Sequence, residues 1–179
     1  MRHPFPLLFL LATVAAPTSA DEFKPEEGFV LLFNGKDLTG WKTTTGESLD
    51  VKTEAYSGRF KAADGVLTID PKVKGDVRIE TQKEFAKDVH IKFDFLPGAE
   101  CNNDLFLRGQ KFDLKKPDVK NMKEGEWNTF EIVIVGDKAE FKCNGETMRA
   151  STLKGKGTVF GLRAEFGSMQ VRRMRVREG

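Results

Sequence analysis

The stretch "WNTFEIVIVGDKAEFKCNGETMRA", Trp127 to Ala150, decides the fold class. Two turn signals divide it, Gly136-Asp137 and Asn144-Gly145, and each dipeptide accepts the positive φ that a tight hairpin needs. It therefore reads as two consecutive hairpins, a meander. Upstream, "VHIKFDF" sets Val89, Ile91, Phe93 and Phe95 on one side of a strand. "FVLLF" does the same with Phe29, Leu31 and Phe33, which are expected to line the core. Asn34-Gly35 and Asp64-Gly65 supply further hairpin turns, and "DLFLRGQKFDL" turns at Gly109. Downstream, "GTVFGLRAEFGSMQVRRMRVREG" reads as two strands joined at Gly167. There Met169 and Val171 share one parity while Met174 and Val176 take the other, and a β-bulge at Arg172-Arg173 reconciles them.

Nothing beyond the first twenty residues sustains a helical period. Many short strands without intervening helices point to an all-β chain, a jelly-roll β-sandwich of two antiparallel sheets. Internal repeats, linkers and low-complexity tracts are not evident, so residues 21–179 read as a single domain with its own core.

The opening "MRHPFPLLFLLATVAAPTSA" has an early Arg2, an apolar run from Leu7 to Ala16 and small residues at Thr18 and Ala20. This is the layout of a cleavable secretory signal over residues 1–20, which predicts a secreted or periplasmic protein. The apolar run is short of the roughly 20 residues that span a bilayer. With 29 Lys+Arg against 27 Asp+Glu, the chain is near neutral and steers no polyanion. The arginines at 172, 173, 175 and 177 have little aromatic interleaving and read as edge protection, so neither nucleic acid nor membrane is an expected partner. An exported chain meets an oxidising compartment, and the sequence leaves open whether Cys101 and Cys143 form a bridge.

Several enzyme classes are excluded, because the chain has no G-x-S-x-G, P-loop, dinucleotide fingerprint or H-E-x-x-H. After the signal only His90 remains as a histidine, alternating with Lys92 and Asp94 on the face opposite the Val89 stripe. It reads as a solvated sheet face or as a proton shuttle on a concave sheet. In "AECNNDLFLRG", Glu100, Asn102, Asn103 and Asp104 crowd oxygens before a strand, as turn formers or as ligands for Ca²⁺ or a sugar hydroxyl. No other cofactor is expected. Arg108, Gln110 and Asp113 then make a polar patch suited to a polyhydroxylated ligand.

"GFVLLFNGKDLTGW", "DGVLTI", "NNDLFLRG", "GEWNTFEIVIVGDKAEFKCNGE", "GTVFGLRAE" and "VRRMRV", in that order, resemble the 3-keto-disaccharide hydrolase family across almost the whole mature chain. The resemblance implies a concanavalin-like jelly roll and a glycoside substrate with a ketone at carbon 3. Such a ketone acidifies the proton on carbon 2, so a base can drive elimination of the aglycone, and water then adds. One positioned base and donors for the enolate oxygen suffice, without the carboxylate pair of ordinary glycosidases. Asn102 and Arg108 match the family's Asn and strand-ending Arg, and Asp113 stands where the family usually has Glu. Asn103 and Asp104 replace Ser-Gly, and only "KKPDVKNMKEGE" precedes Trp127, where the family carries a longer segment.

The expected catalytic residues are thus Asp113 or Asp94 as base and Arg108 on the enolate, with Asn102, Asn103, Gln110 and His90 binding substrate in one trough. A non-catalytic carbohydrate-binding module of the same fold is the alternative. Trp41 is expected to cover an end of the sandwich, with stacking on a sugar ring as its other reading.

Overall fold

The computed structural model describes residues 23–116, 118–153, 155 and 158–179, so the expected signal segment lies outside the described residues. The strands run β1 (Val30–Leu31), β2 (Trp41–Thr43), β3 (Glu54–Ala55), β4 (Phe60–Ala63), β5 (Val66–Ile69), β6 (Val77–Glu84) and β7 (Val89–Pro97). They continue with β8 (Asn102–Leu107), β9 (Gln110–Leu114), β10 (Asn128–Val135), β11 (Lys138–Cys143), β12 (Glu146–Thr152), β13 (Val159–Phe166) and β14 (Met169–Glu178). Nine strands form one sheet in the order β12-β11-β10-β7-β14-β5-β4-β3, with β1 added on β14. The other five form the second sheet, β2-β6-β13-β8-β9. All the pairings are antiparallel, and the described residues contain no helix, which is the expected all-β jelly-roll sandwich.

The turn chemistry acts as the sequence predicts at four places. Ala63 pairs with Val66 across Asp64-Gly65, Leu107 with Gln110 across Arg108-Gly109, Val135 with Lys138 across Gly136-Asp137, and Cys143 with Glu146 across Asn144-Gly145. Asp64, Arg108 and Asn144 all hold positive φ, followed each time by a glycine that does so too. The predicted bulge is also present: the β14–β7 register shifts between Arg172 and Arg175, and Arg173 takes φ 53°.

The opening "FVLLF" departs from expectation. Asn34-Gly35 joins β1 of the large sheet to β2 of the small one, so it is a crossover and not a hairpin; Asn34 Oδ1 accepts from the Lys36 and Asp37 amides instead. Leu31 lies exposed beside β14, and Phe29 packs edge-on against His90 on the outer face of the nine-stranded sheet. Phe33 alone of the three enters the core. A two-residue strand added to the branching edge of β14 has no second layer over it, so its alternation has no interior to face.

Aromatic contact between layers holds the sandwich together. Phe112 of β9 meets Phe130 of β10 at 5.1 Å and Phe141 of β11 at 4.9 Å, while Phe160 of β13 lies 6.4 Å from Phe93 of β7. Each such ring removed from water contributes about 2–3 kcal/mol. Trp41 is fully buried, lies 6.2 Å from Phe160 and donates its Nε1 hydrogen to the Leu32 carbonyl. It therefore seals the sandwich and has no face to offer a sugar. Cys101 and Cys143 are free, buried thiols, and burial pushes both upward in pKa, Cys143 to about 11.

Candidate functional site

Register across the five-stranded sheet assembles a row of four charges. Arg78 lies opposite Arg163, Arg163 opposite Asp104, and Asp104 opposite Asp113. Their neighbours Ile79, Leu162, Leu105 and Phe112 face inward and are buried, so strand alternation puts the charged row on the outer face. Like charges directly opposite one another are unfavourable, and the row contains two such pairs. Counter-ions inserted from the sides compensate.

Arg163 binds Asp76 through Nε at 2.6 Å, Asp104 Oδ2 through Nη1 at 2.6 Å and Glu165 at 3.2 Å. Lys111 donates to Asp113 Oδ1 at 2.6 Å and stands 3.7 Å from Asp104 Oδ1. Arg78 pairs with Glu80 at 2.6 Å and lies over the Phe106 ring at 4.6 Å. Gly161, between them in the sheet, makes that crossing possible: a Cβ there would stand 3.2 Å from Arg78 Cδ and 3.4 Å from Phe106 Cβ.

The two carboxylates differ sharply. The Asp104 side chain is fully buried and its Oδ1 has no hydrogen-bond partner. Burial, reinforced by the neighbouring Asp113, pushes its pKa up to about 6 against the pull of Arg163 and Lys111. At Asp113 burial also works upward, but the hydrogen bond from Lys111, together with the facing Asp104 carboxyl, outweighs it and leaves the carboxyl below its ordinary value. A facing carboxyl pair with separated affinities can hold one proton between its members, and adjacent cations can stabilise developing negative charge. Two open hollows lie near the row, one at its Arg78–Arg163 end and one displaced along the strands from Asp104 and Asp113. One, about 280 Å³, is lined by Thr44, Tyr56, Asp76, Arg78, Phe106 and Arg163, the other, about 260 Å³, by Glu100, Asn102, Lys115, Lys116 and Glu124 among others.

Of the residues predicted from sequence, Asp113 is in this row and Asn102 lines the second hollow. The single trough expected to unite Asn102, Arg108 and Asp113 is corrected. Arg108 occupies a left-handed turn position and its guanidinium is turned away, donating to the Phe85 carbonyl at 3.0 and 2.7 Å and to those of Lys87 and Gly136. It ties the β8–β9 hairpin to the β6–β7 connection, because carbonyls left unpaired by that turn need donors. Gln110 sits beside it at the hairpin end, opposite Leu107. Asn103 points inward and is fully buried, accepting from the Glu165 amide at 3.0 Å and donating to Cys101 Sγ at 3.4 Å.

His90 and Asp94 are on β7, in the nine-stranded sheet, and cannot join Asp113 across the sandwich. His90 Nε2 lies 2.8 Å from Glu131, and Asp94 faces Thr129, Arg172 and Arg173 at 3.2–3.5 Å. The oxygens of Glu100 to Asp104 diverge, since Asn103 turns inward and Asp104 outward onto Arg163. Among the described residues no group of three or more His, Cys, Asp or Glu is arranged to hold a metal ion. Arg78, Arg163, Lys111 and the acidic role of Asp104 were missed from sequence. A signal existed in "VFGLRAEF", where Arg163 and Glu165 interrupt a strand whose other parity is Phe160, Leu162 and Ala164.

The model of the 3-keto-alpha-glucoside-1,2-lyase-like domain matches residues 28–123. Among solved structures, a glycosyl-hydrolase candidate from Parabacteroides distasonis ATCC 8503 superposes with TM-score 0.69 at 20% identity, covering 89% of this chain and 100% of its own. The carbohydrate-binding module CBM66 from Bacillus subtilis gives 0.54 at 13% identity, covering 79% and 97% respectively. At these identities the likeness is one of fold. No curated protein sequence matches the chain.

Proposed function

The chain belongs to the 3-keto-alpha-glucoside-1,2-lyase-like family, matched over more than half its length, and from that premise we propose that it cleaves 3-keto-glycosides by elimination followed by hydration. The observation that carries this reading is the opposed Asp104–Asp113 pair, its proton affinities driven apart and Lys111 beside it. Asp113, one-quarter exposed at 24%, takes the proton from carbon 2 of the oxidised sugar. Lys111, at 44% exposure, swings to the carbon-3 oxygen as the enolate forms. The enolate oxygen's pair then re-forms the carbon-3 carbonyl, the carbon 2–carbon 3 π pair becomes the carbon 1–carbon 2 double bond, and the carbon 1–oxygen bond breaks. Asp104, with the higher pKa of the two, retains the abstracted proton within the pair until the leaving oxygen accepts it. Water adds across the double bond, so glycoside plus water gives free 3-keto sugar plus alcohol.

The test is aglycone release from a 3-keto-glucoside by the purified protein. Asp113→Asn is expected to slow release by about 10²-fold or more, and unimpaired release would overturn the assignment. A second reading rests on the pairing of Arg163 with three carboxylates, which suits a rigid binding surface. Measurable sugar affinity without release would establish that carbohydrate-binding role instead. The proposal includes export, with a mature chain starting at Asp21, and N-terminal sequencing of the exported protein reads this directly.

A further inference from the structure

Strand β13 changes face at its end. Phe160, Leu162 and Ala164 are fully buried, and continued alternation would bury Phe166 as well. Instead the β13–β8 register shifts between Arg163 and Phe166, and Phe166 emerges 56% exposed, opposite Asn102. It is the only aromatic among the described residues left largely open to solvent. The following turn fixes this arrangement: Gly167 holds φ 72°, and a Cβ there would stand 2.5 Å from the Glu100 carbonyl oxygen. A bulge that turns a large ring out of an apolar interior forgoes burial worth about 2 kcal/mol. The exposed ring shares a sheet face with Asn102, whose Oδ1 has no hydrogen-bond partner and whose side chain lines the 260 Å³ hollow. The lysines of that hollow are engaged, Lys115 with Asp118 at 3.8 Å and Lys116 with Glu124, so the hollow does not select an anion.

We propose that Phe166 and Asn102 form a subsite for a neutral pyranose ring, the sugar that departs when the substrate is a disaccharide. The C–H face of the ring stacks on Phe166, and Asn102, whose Oδ1 is covered and unpaired in the free protein, turns its amide to a ring hydroxyl. Asn102 and Asp104 are two residues apart on one strand face, a separation of about 7 Å. That places the subsite one sugar unit along the sheet from the carboxyl pair. This inference rests on the proposed role of Asp113, and its test separates the two.

Kinetics of Phe166→Ala are compared on a 3-keto-disaccharide and on methyl 3-keto-α-glucoside. KM for the disaccharide is expected to rise about tenfold more than KM for the methyl glycoside, as befits loss of one stacking face. Phe166→Trp should restore it. Equal effects on the two substrates would overturn the subsite. Independently of turnover, saturation-transfer NMR with methyl α-glucoside on the Asp113→Asn protein is expected to show transfer that Phe166→Ala abolishes. Transfer undiminished by that substitution, or absent from the start, would also overturn the subsite. An inactive wild-type protein that still binds the glucoside through Phe166 would sink the catalytic reading and keep this one.

Discussion

The outer faces of the two sheets carry similar side chains in different states. On the nine-stranded sheet, Arg175 binds Glu26, His90 binds Glu131, and Arg172 and Arg173 flank Asp94. Aromatics close over these cations, Trp127 3.9 Å from Arg172 and Phe23 5.1 Å from Arg173 and Arg175. The segment from Phe23 to Phe29 thus covers that face. On the five-stranded sheet the acids outnumber the available cations, like charges stand opposite, and a fully buried carboxylate keeps one oxygen unpaired. The acids of the first face are satisfied, although Arg172 Nε lacks a partner there and Arg175 stands opposite Lys92, whereas on the second face Asp104 is poised. A charged sheet surface becomes a candidate for chemistry when register, and not composition, leaves its groups competing for partners.

The largest expected effect falls on the poised face. Arg163→Ala removes the close partner of buried Asp104, and urea denaturation at neutral pH should show a loss of about 3–5 kcal/mol. Arg172→Ala on the satisfied face, where the side chain is 30% exposed, should cost under about 1 kcal/mol. Equal costs would erase the contrast. Next in size, Asp104→Asn should lower release from 3-keto-glucosides by at least about tenfold and remove the acidic limb near pH 6 from the rate profile.

The faces should also answer pH with opposite signs. Asp104 is raised to about 6 in the fold, so its contribution to stability is full below its ordinary value and is lost as pH rises through about 6. Glu26 is lowered to about 2, chiefly by its hydrogen bond from Arg175, so its contribution is full above its ordinary value and is lost as pH falls toward 2. Thermal melts across pH 3–7 should therefore flatten near pH 4–6 in Asp104→Asn, by on the order of 2 kcal/mol. In Glu26→Gln they should flatten only below about pH 4.5, and by less, because Glu26 is 49% exposed and screened. The smallest effect is expected for His90→Ala and Asp94→Asn, which should leave aglycone release within about twofold. A tenfold loss in either would move chemistry to the nine-stranded sheet.

Local signals were legible because their causes are local. Asp64-Gly65, Arg108-Gly109, Gly136-Asp137 and Asn144-Gly145 make hairpins wherever they stand, and the parity slip after Val171 demanded a bulge. Asp113 was picked out, but its partners were not, since Asp104 is its register neighbour and Arg163 comes from a strand fifty residues further on. Arg108 illustrates the opposite error: a guanidinium beside polar residues in sequence serves backbone carbonyls in space.

By itself the sequence determined that this chain would be strands joined by tight turns, because side-chain period and backbone φ are properties of a few adjacent residues. It also carried the family's motifs in order. Only the tertiary structure decided which strands share a sheet, that Phe29 would leave the core, that Phe166 would face outward, and that Asp104 would meet Asp113 and Arg163. Those outcomes depend on register between segments distant in the chain, where a shift of one residue exchanges inside for outside.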